Sequence, residues 1–274
     1  MDAYSCARQE IENVYELLKR KRELAARSYE VSGSRLVLRP EPVLLEAQRR
    51  FGKLQRADMA YPPGESAYRA IMESVPALLA RQHLFHYRCR GEYLNEILAL
   101  EGPGGIGKST LAYYVASFLG GRIMSDEDEI LSGIRELIES GTWVPILVLD
   151  DIATVISKYW FLDSADRQKW KGLFKAIEYA KDWAGVILLT ARSFEGVAKR
   201  LRELATLRGE MRRLYYHGYI IDIITWYKTG KRLPLYVDVL WPGMKMPRDA
   251  WEEMNKKRRL NALKALGGEE NDNM

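Results

Sequence analysis

The chain has 274 residues, 47% hydrophobic and 29% charged, which supplies a packed core for one large or two small domains and excludes wholesale disorder. Two cysteines, Cys6 and Cys89, exclude a disulfide framework and a four-cysteine metal site, and no apolar run approaches membrane-span length. The net charge of +5 is uneven: residues 1–95 carry 16 basic against 12 acidic side chains, residues 96–192 carry 10 against 14, and residues 193–274 carry 16 against 11.

Two basic flanks around an acidic middle suit contact with a polyanion or, more simply, solvated helix faces. The charged N-terminus (MDAYSCARQEIENVYELLKRK) has no apolar signal segment, so a soluble, cytoplasmic protein is expected. In chain order, a helix is expected over about 7–29, with Ile11, Val14, Leu18 and Ala25 on one face. Its charges run acidic first and basic later, as the helix dipole favours. Ser32-Gly33-Ser34 breaks it, and a strand at 35–38 and a helix after Pro42 follow. Tyr61-Pro62-Pro63-Gly64 marks a turn, and Pro76 kinks or splits a helical stretch over 65–87.

From Asn95 the pattern becomes regular. A strand at 97–100 leads through a glycine-rich turn to a helix at 108–119 and a weak strand at 122–124. Ser125 and Asp126 cap a helix that Gly141 ends. A strand at 146–149, a helix over about 166–181, a strand at 186–189 and a helix over about 194–207 come next. Residues 215–226 read as a fifth strand. Lys228-Thr229-Gly230-Lys231 reads as a hairpin tip before 233–240, and a basic helix spans about 248–266. Strands apolar on both faces, alternating with helices, predict an α/β fold with a mainly parallel five-stranded sheet covered on both sides. The expected organisation is a mainly helical region over 1–92, a core over 93–227, and a basic hairpin and helix over 228–274.

Gly102, Pro103, Gly104, Gly105, Ile106, Gly107, Lys108, Ser109 and Thr110 satisfy G-x-x-x-x-G-K-[ST] between an expected strand and an expected helix. Glycines let backbone N–H groups turn inward around a phosphate chain, and the helix start adds its positive dipole end. Lys108 is then expected to reach β- and γ-phosphates, and the Ser109 hydroxyl to ligate Mg²⁺. Some forty residues on, VPILVLDD is an apolar strand ending in Asp150 and Asp151. Beside the phosphate loop, Asp150 is expected to hold Mg²⁺ through its water shell and Asp151 to orient or deprotonate a water. A third strand ends in Thr190-Ala191-Arg192, whose hydroxyl and guanidinium are expected to face the γ-phosphate.

These motifs, over roughly residues 95–227, resemble P-loop NTPases with an extra strand between the loop and the acidic strand, typified by AAA+ ATPases. EGPGGIGKSTLA, LVLDDI and GVILLTARS are also similar to the nucleotide-binding domain of STAND signalling ATPases, whose further domains need a longer chain. The size fits small helicase-loader AAA+ ATPases and initiator-like ATPases of archaeal viruses and plasmids. The ParA/MinD class differs, with a second lysine where this loop has Pro103. By this resemblance Lys108, Ser109, Asp150, Asp151 and Thr190 carry the family's roles. It also implies an arginine finger for a neighbour's γ-phosphate. Arg200, Arg202, Arg208, Arg212 and Arg213 all qualify by position and Arg208 is favoured, whereas no recognisable lid follows.

In the terminal helix, Lys256-Lys257-Arg258-Arg259 lies beside Trp251, Met254, Leu260, Leu263 and Leu266, so one face can pack while another meets phosphate. Lys228, Lys231 and Arg232 offer the same chemistry at the hairpin. His83, His86 and His217 lack metal-ligand spacing, and Cys89 reads as a buried residue. The resemblance implies an ATP- and Mg²⁺-dependent hydrolase that forms a nucleotide-dependent homo-oligomer. Its partners would be DNA and a helicase or initiator, in replication or maintenance of a mobile element. The alternative is a STAND-like nucleotide-gated switch acting through protein partners. A small-molecule kinase is not favoured, because no arginine-rich acceptor lid follows the acidic strand.

Overall fold

The computed structural model describes residues 3–52, 64–156, 164–241 and 243–265. It begins with α1 (Ala3–Ser28), a ribbon of β1 (Tyr29–Ser32) and β2 (Arg35–Leu38), and α2 (Pro40–Phe51). Helices α3 (Gly64–Met72) and α4 (Val75–Arg90) are separate, with Pro76 in the first turn of α4, where its missing N–H breaks no helical bond. Of the expected turn at 61–64, residues 61–63 lie outside the described residues. The alternating region comprises β3 (Glu96–Glu101), α5 (Lys108–Leu119), β4 (Arg122–Met124), α6 (Glu127–Ser140), β5 (Val144–Leu149), α7 (Ile152–Val155), α8 (Ser164–Glu178) and β6 (Ala184–Ala191). Then come α9 (Lys199–Leu204), β7 (Leu207–Tyr216), β8 (Tyr219–Lys228), β9 (Pro234–Leu240) and α10 (Arg248–Ala265).

The main sheet runs β4-β5-β6-β3-β7-β8-β9, parallel from β4 to β7 and antiparallel thereafter. Successive side chains of its central strands enter opposite cores. Ile97, Ala99, Leu147, Leu149, Ile187 and Leu189 pack with Ile130, Leu137, Trp170, Phe174 and Leu201 from α6, α8 and α9. Leu98, Leu100, Ile146, Val148, Val186 and Leu188 pack with Val14, Leu78, Leu111 and Val115 from α1, α4 and α5. Burial on both faces explains why these strands lack a polar alternation. Among the described residues, no helix is long and apolar enough to cross a membrane.

Two expectations are corrected. The helix over 194–207 is a 3₁₀ turn, Phe194–Gly196, followed by the six-residue α9, and Leu207 already opens β7. The deciding pattern is period two: buried Leu207, Gly209 and Met211 alternate with Arg208, Glu210 and Arg212. Gly209 is required there, because a Cβ would lie 2.6 Å from the Trp226 ring. The single strand over 215–226 is two arms of a hairpin turning at His217 and Gly218, whose φ values of 47° and 82° suit the turn that matches strand twist. The five expected strands thus become six, and the hairpin arm expected over 233–240 joins the same sheet as β9, the seventh.

β8 and β9 carry a third cluster, in which Ile221, Ile223, Val237 and Val239 meet Leu24, Ala25, Val43 and Ala47 of α1 and α2. A buried charge ties α1 to this end of the sheet. Lys21 Nζ lies 2.6 Å from Asp238 of β9, which also accepts from the Val75 N–H and, at 2.7 Å, from Trp226 Nε1. Burial pushes the Lys21 ammonium below its ordinary pKa, while Asp238 opposes that shift.

Candidate functional site

The loop 102–107 leaves the C-terminal end of β3 and enters α5, beside the C-terminal ends of β5 and β6 where β3 meets β6 in the sheet. Gly102 adopts φ 154°, and a Cβ there would stand 2.6 Å from the Met211 carbonyl oxygen, so no other residue fits. Gly105 and Gly107 also have positive φ, at 75° and 105°. Lys108 is buried, and its ammonium donates to the carbonyls of Gly102 at 2.7 Å and Pro103 at 3.0 Å. Burial lowers its pKa, against the pull of Asp151 and Asp150.

Ser109, in the first turn of α5, donates to both carboxylate oxygens of Asp150, at 2.9 and 3.1 Å. Thr190, at the end of β6, donates to Asp150 Oδ1 at 2.6 Å and accepts from the Asp151 N–H at 2.9 Å. Expected site residues from α5, the end of β5 and β6 thus meet at one carboxylate. Asp151 sits half-buried in the left-handed region at φ 51°. Burial and the adjacent Asp150 raise its pKa, offset in part by Arg258, Arg192 and Lys108. The Arg192 guanidinium lies over the loop, 3.5 Å from where a Cβ on Gly104 would be. Ile106 is buried, while Gly104, Ile106 and Thr110 help line the cavity.

The donor set suits Mg²⁺. A hydroxyl and one carboxylate are hard oxygen ligands, and such an ion takes its remaining ligands from water and phosphate. Among the described residues no three His, Cys, Asp or Glu side chains gather to cage a metal by themselves. A cation is already accommodated there: Arg258 of α10 donates to Ser109 Oγ at 2.6 Å and to Asp150 Oδ2 at 2.8 Å.

Arg258 is the residue that sequence reasoning misassigned. Its basic run was expected to form one solvated or phosphate-binding face. In the structure Arg258 enters the site, and Lys257 pairs with Glu129 at 3.0 Å and with Glu253. Only Lys256 and Arg259 of the run remain exposed. Helix α10 and the segment before it close over the loop, leaving a cavity of about 610 Å³.

The five arginines considered for a trans-acting finger fall into different surroundings. Arg208 pairs with Glu101 at 2.6 Å, Arg212 with Glu210 at 2.6 Å, Arg213 with Asp222 at 2.7 Å, and Arg200 with Glu178. Arg202 has no ion-pair partner among the described residues, and its Nε is buried without a hydrogen bond. His83 is buried against the Gly185 carbonyl, and His86 pairs with Glu92. Cys89 is half-buried.

The loop, the acidic strand and the strand order β4-β5-β6-β3-β7 are those of a P-loop NTPase fold with an inserted strand. No protein-family model and no curated protein matches this chain. Among solved structures, it is similar to the RuvB Holliday junction branch migration motor of Thermotoga maritima (23% identity, TM-score 0.34), over 50% of this chain and 44% of that one. A point mutant of that RuvB gives 21% identity and a TM-score of 0.35, over 51% and 46%. The N-terminal domain of zonular occludens toxin from Neisseria meningitidis is 11% identical with a TM-score of 0.36, over 58% of this chain and 98% of that one. The chain spans under half the length of the RuvB chains it matches.

Proposed function

We propose that this protein is a magnesium-dependent ATP hydrolase of the AAA+ type, coupling nucleotide state to DNA as helicase loaders and initiators of mobile elements do. The observation that carries the reading is the convergence of Ser109, Asp150 and Thr190 beside a glycine loop and Lys108. In this mechanism Lys108 exchanges its two loop carbonyls for β- and γ-phosphate oxygens. Mg²⁺ held by Ser109 and Asp150 supplies neutralisation of phosphate charge when bound. Asp151 takes the proton of a water attacking the γ-phosphorus, and the bond to the β,γ-bridging oxygen breaks to release ADP. Arg192, over the loop, balances charge on the transferred group.

Assembly with nucleotide is part of the proposal, with Arg208 reaching a neighbour's γ-phosphate once its Glu101 pair opens. The DNA half rests on the hairpin tip. Lys228, Lys231 and Arg232 surround a cavity of about 440 Å³ with Arg202, while its carboxylates Glu101 and Glu210 are already paired. None of these four cations has a carboxylate partner among the described residues. A phosphate backbone answers that imbalance.

The test is ATP turnover with single-stranded, double-stranded or no DNA across a salt series, alongside a mass measurement in ATP. DNA-stimulated turnover that weakens steeply with salt supports the reading. Turnover indifferent to DNA but changed by a protein partner would replace it with the nucleotide-gated switch.

A further inference from the structure

We propose that α10 and the segment 243–246 before it form the nucleoside half of the site, with Trp251 as the ring that stacks on the nucleobase. The inference rests on the nucleotide reading above and adds to it the part of the ligand that the glycine loop cannot recognise. A phosphate loop grips a polyphosphate through backbone N–H groups and one lysine, whichever nucleoside is attached.

Three observations carry it. First, one cavity runs from the loop to the terminal helix, and Trp251, Met254 and Arg258 line it from α10 at intervals of three and four residues, a single helix face. Second, the phosphate end of that face is marked. Arg258 touches Ser109 and Asp150, and Trp251 precedes it by seven residues, about 10 Å along the helix at the usual rise. That is the reach from a metal-bridged phosphate to the base of an extended nucleotide. Third, the chemistry changes along this distance. Beyond the charged end Met244, Met246, Met254 and Trp251 set adaptable thioethers around an indole, with the polar Lys245, Arg248 and Asn255 among them.

The wall is fixed rather than loose at its near side. Tyr114 of α5 donates to the Lys245 carbonyl at 2.9 Å, holding the methionine segment against the helix that starts at the loop. Trp251 is 55% exposed and has no ring partner among the described residues, so its indole face is open to a flat apolar surface. A purine or pyrimidine ring supplies that surface.

The experiment compares ATP with inorganic tripolyphosphate, both in EDTA, on the full chain and on Trp251→Ala and Trp251→Phe, by calorimetry. The proposal expects Trp251→Ala to weaken ATP about 10-fold or more, the scale of one base–aromatic stack, while tripolyphosphate affinity stays within about twofold. Trp251→Phe should recover most of the loss. ATP should also change the Trp251 contribution to fluorescence, obtained as the difference between the parent and Trp251→Phe, whereas tripolyphosphate should not. Equal effects of Trp251→Ala on both ligands, or none on ATP, overturn the assignment. Failure of the nucleotide reading itself would look different: neither ligand would bind the parent chain.

Discussion

Arg258→Gln is expected to make the site more receptive to Mg²⁺, because the guanidinium stands on the two groups proposed as its ligands. The side chain of Asp150 is 1% exposed and that of Arg258 is 38% exposed. Two charge-assisted hydrogen bonds in a fully buried setting would contribute about 1.5–3 kcal/mol each. Solvent around the arginine reduces the joint value to about 1–2 kcal/mol. A divalent ion reaching Ser109 and Asp150 must displace that interaction, so its removal should raise apparent Mg²⁺ affinity about 5- to 30-fold. ADP is the ligand to use, since no γ-phosphate then attracts the arginine. Calorimetric titrations of ADP over a series of free Mg²⁺ concentrations should show the Mg²⁺ midpoint falling by that factor, with affinity in EDTA little changed. Asp150 keeps Ser109 and Thr190 as donors, so the variant retains a satisfied carboxylate. Arg258→Lys, which keeps the charge but not the fork, should lie between. A midpoint that is unchanged or higher in Arg258→Gln would refute competition between arginine and metal.

Other expected outcomes concern catalysis and the scaffold. Asp151→Asn should keep ATP binding and lose turnover about 100- to 10,000-fold; normal turnover would reduce Asp151 to a structural residue. Lys21→Ala strips the fully buried Asp238 of its cation and should cost about 3–5 kcal/mol in urea unfolding; a loss below about 1 kcal/mol would mean the Val75 and Trp226 donors suffice. Burial favours the neutral form of His83 in the fold and holds its pKa below the ordinary 6.5, while the Nδ1–H bond to the Gly185 carbonyl opposes that shift. The unfolded chain gains the proton first. Its contribution is therefore full above about pH 6.5 and declines as pH falls through the folded value, by up to about 1.4 kcal/mol per unit. His83→Gln should flatten that acid limb of the stability curve, and an unchanged slope would show another group is responsible.

The phosphate loop and acidic strand were legible because their chemistry is local: nine consecutive residues and one strand end hold most of it. The parallel layers were legible for a related reason, since strands buried on both faces need continuous apolar runs. The role of Arg258 was not, because it lies 108 positions from Asp150 and looks like any basic residue on an exposed helix. Strand β7 was obscured by its charges. Arg208, Glu210 and Arg212 resemble a solvated helix face until Leu207, Gly209 and Met211 are read in alternation. The Lys21–Asp238 pair left a signal that was overlooked: a lone carboxylate inside an apolar strand, and a lysine on the same helical face as Val14, Leu18 and Ala25.

That pair also bears on how copies of this protein can meet. An open sheet offers its two borders as templates for strands from other chains. On one side β4 is only three residues long, and on the other α1 lies against β9, with Lys21 on Asp238, Arg22 near the Tyr236 hydroxyl and Leu24 among Val237 and Val239. Neither border can readily recruit a foreign strand. In the proposed nucleotide-dependent assembly, copies would therefore join through helices and loops, which can separate again without unzipping a backbone ladder.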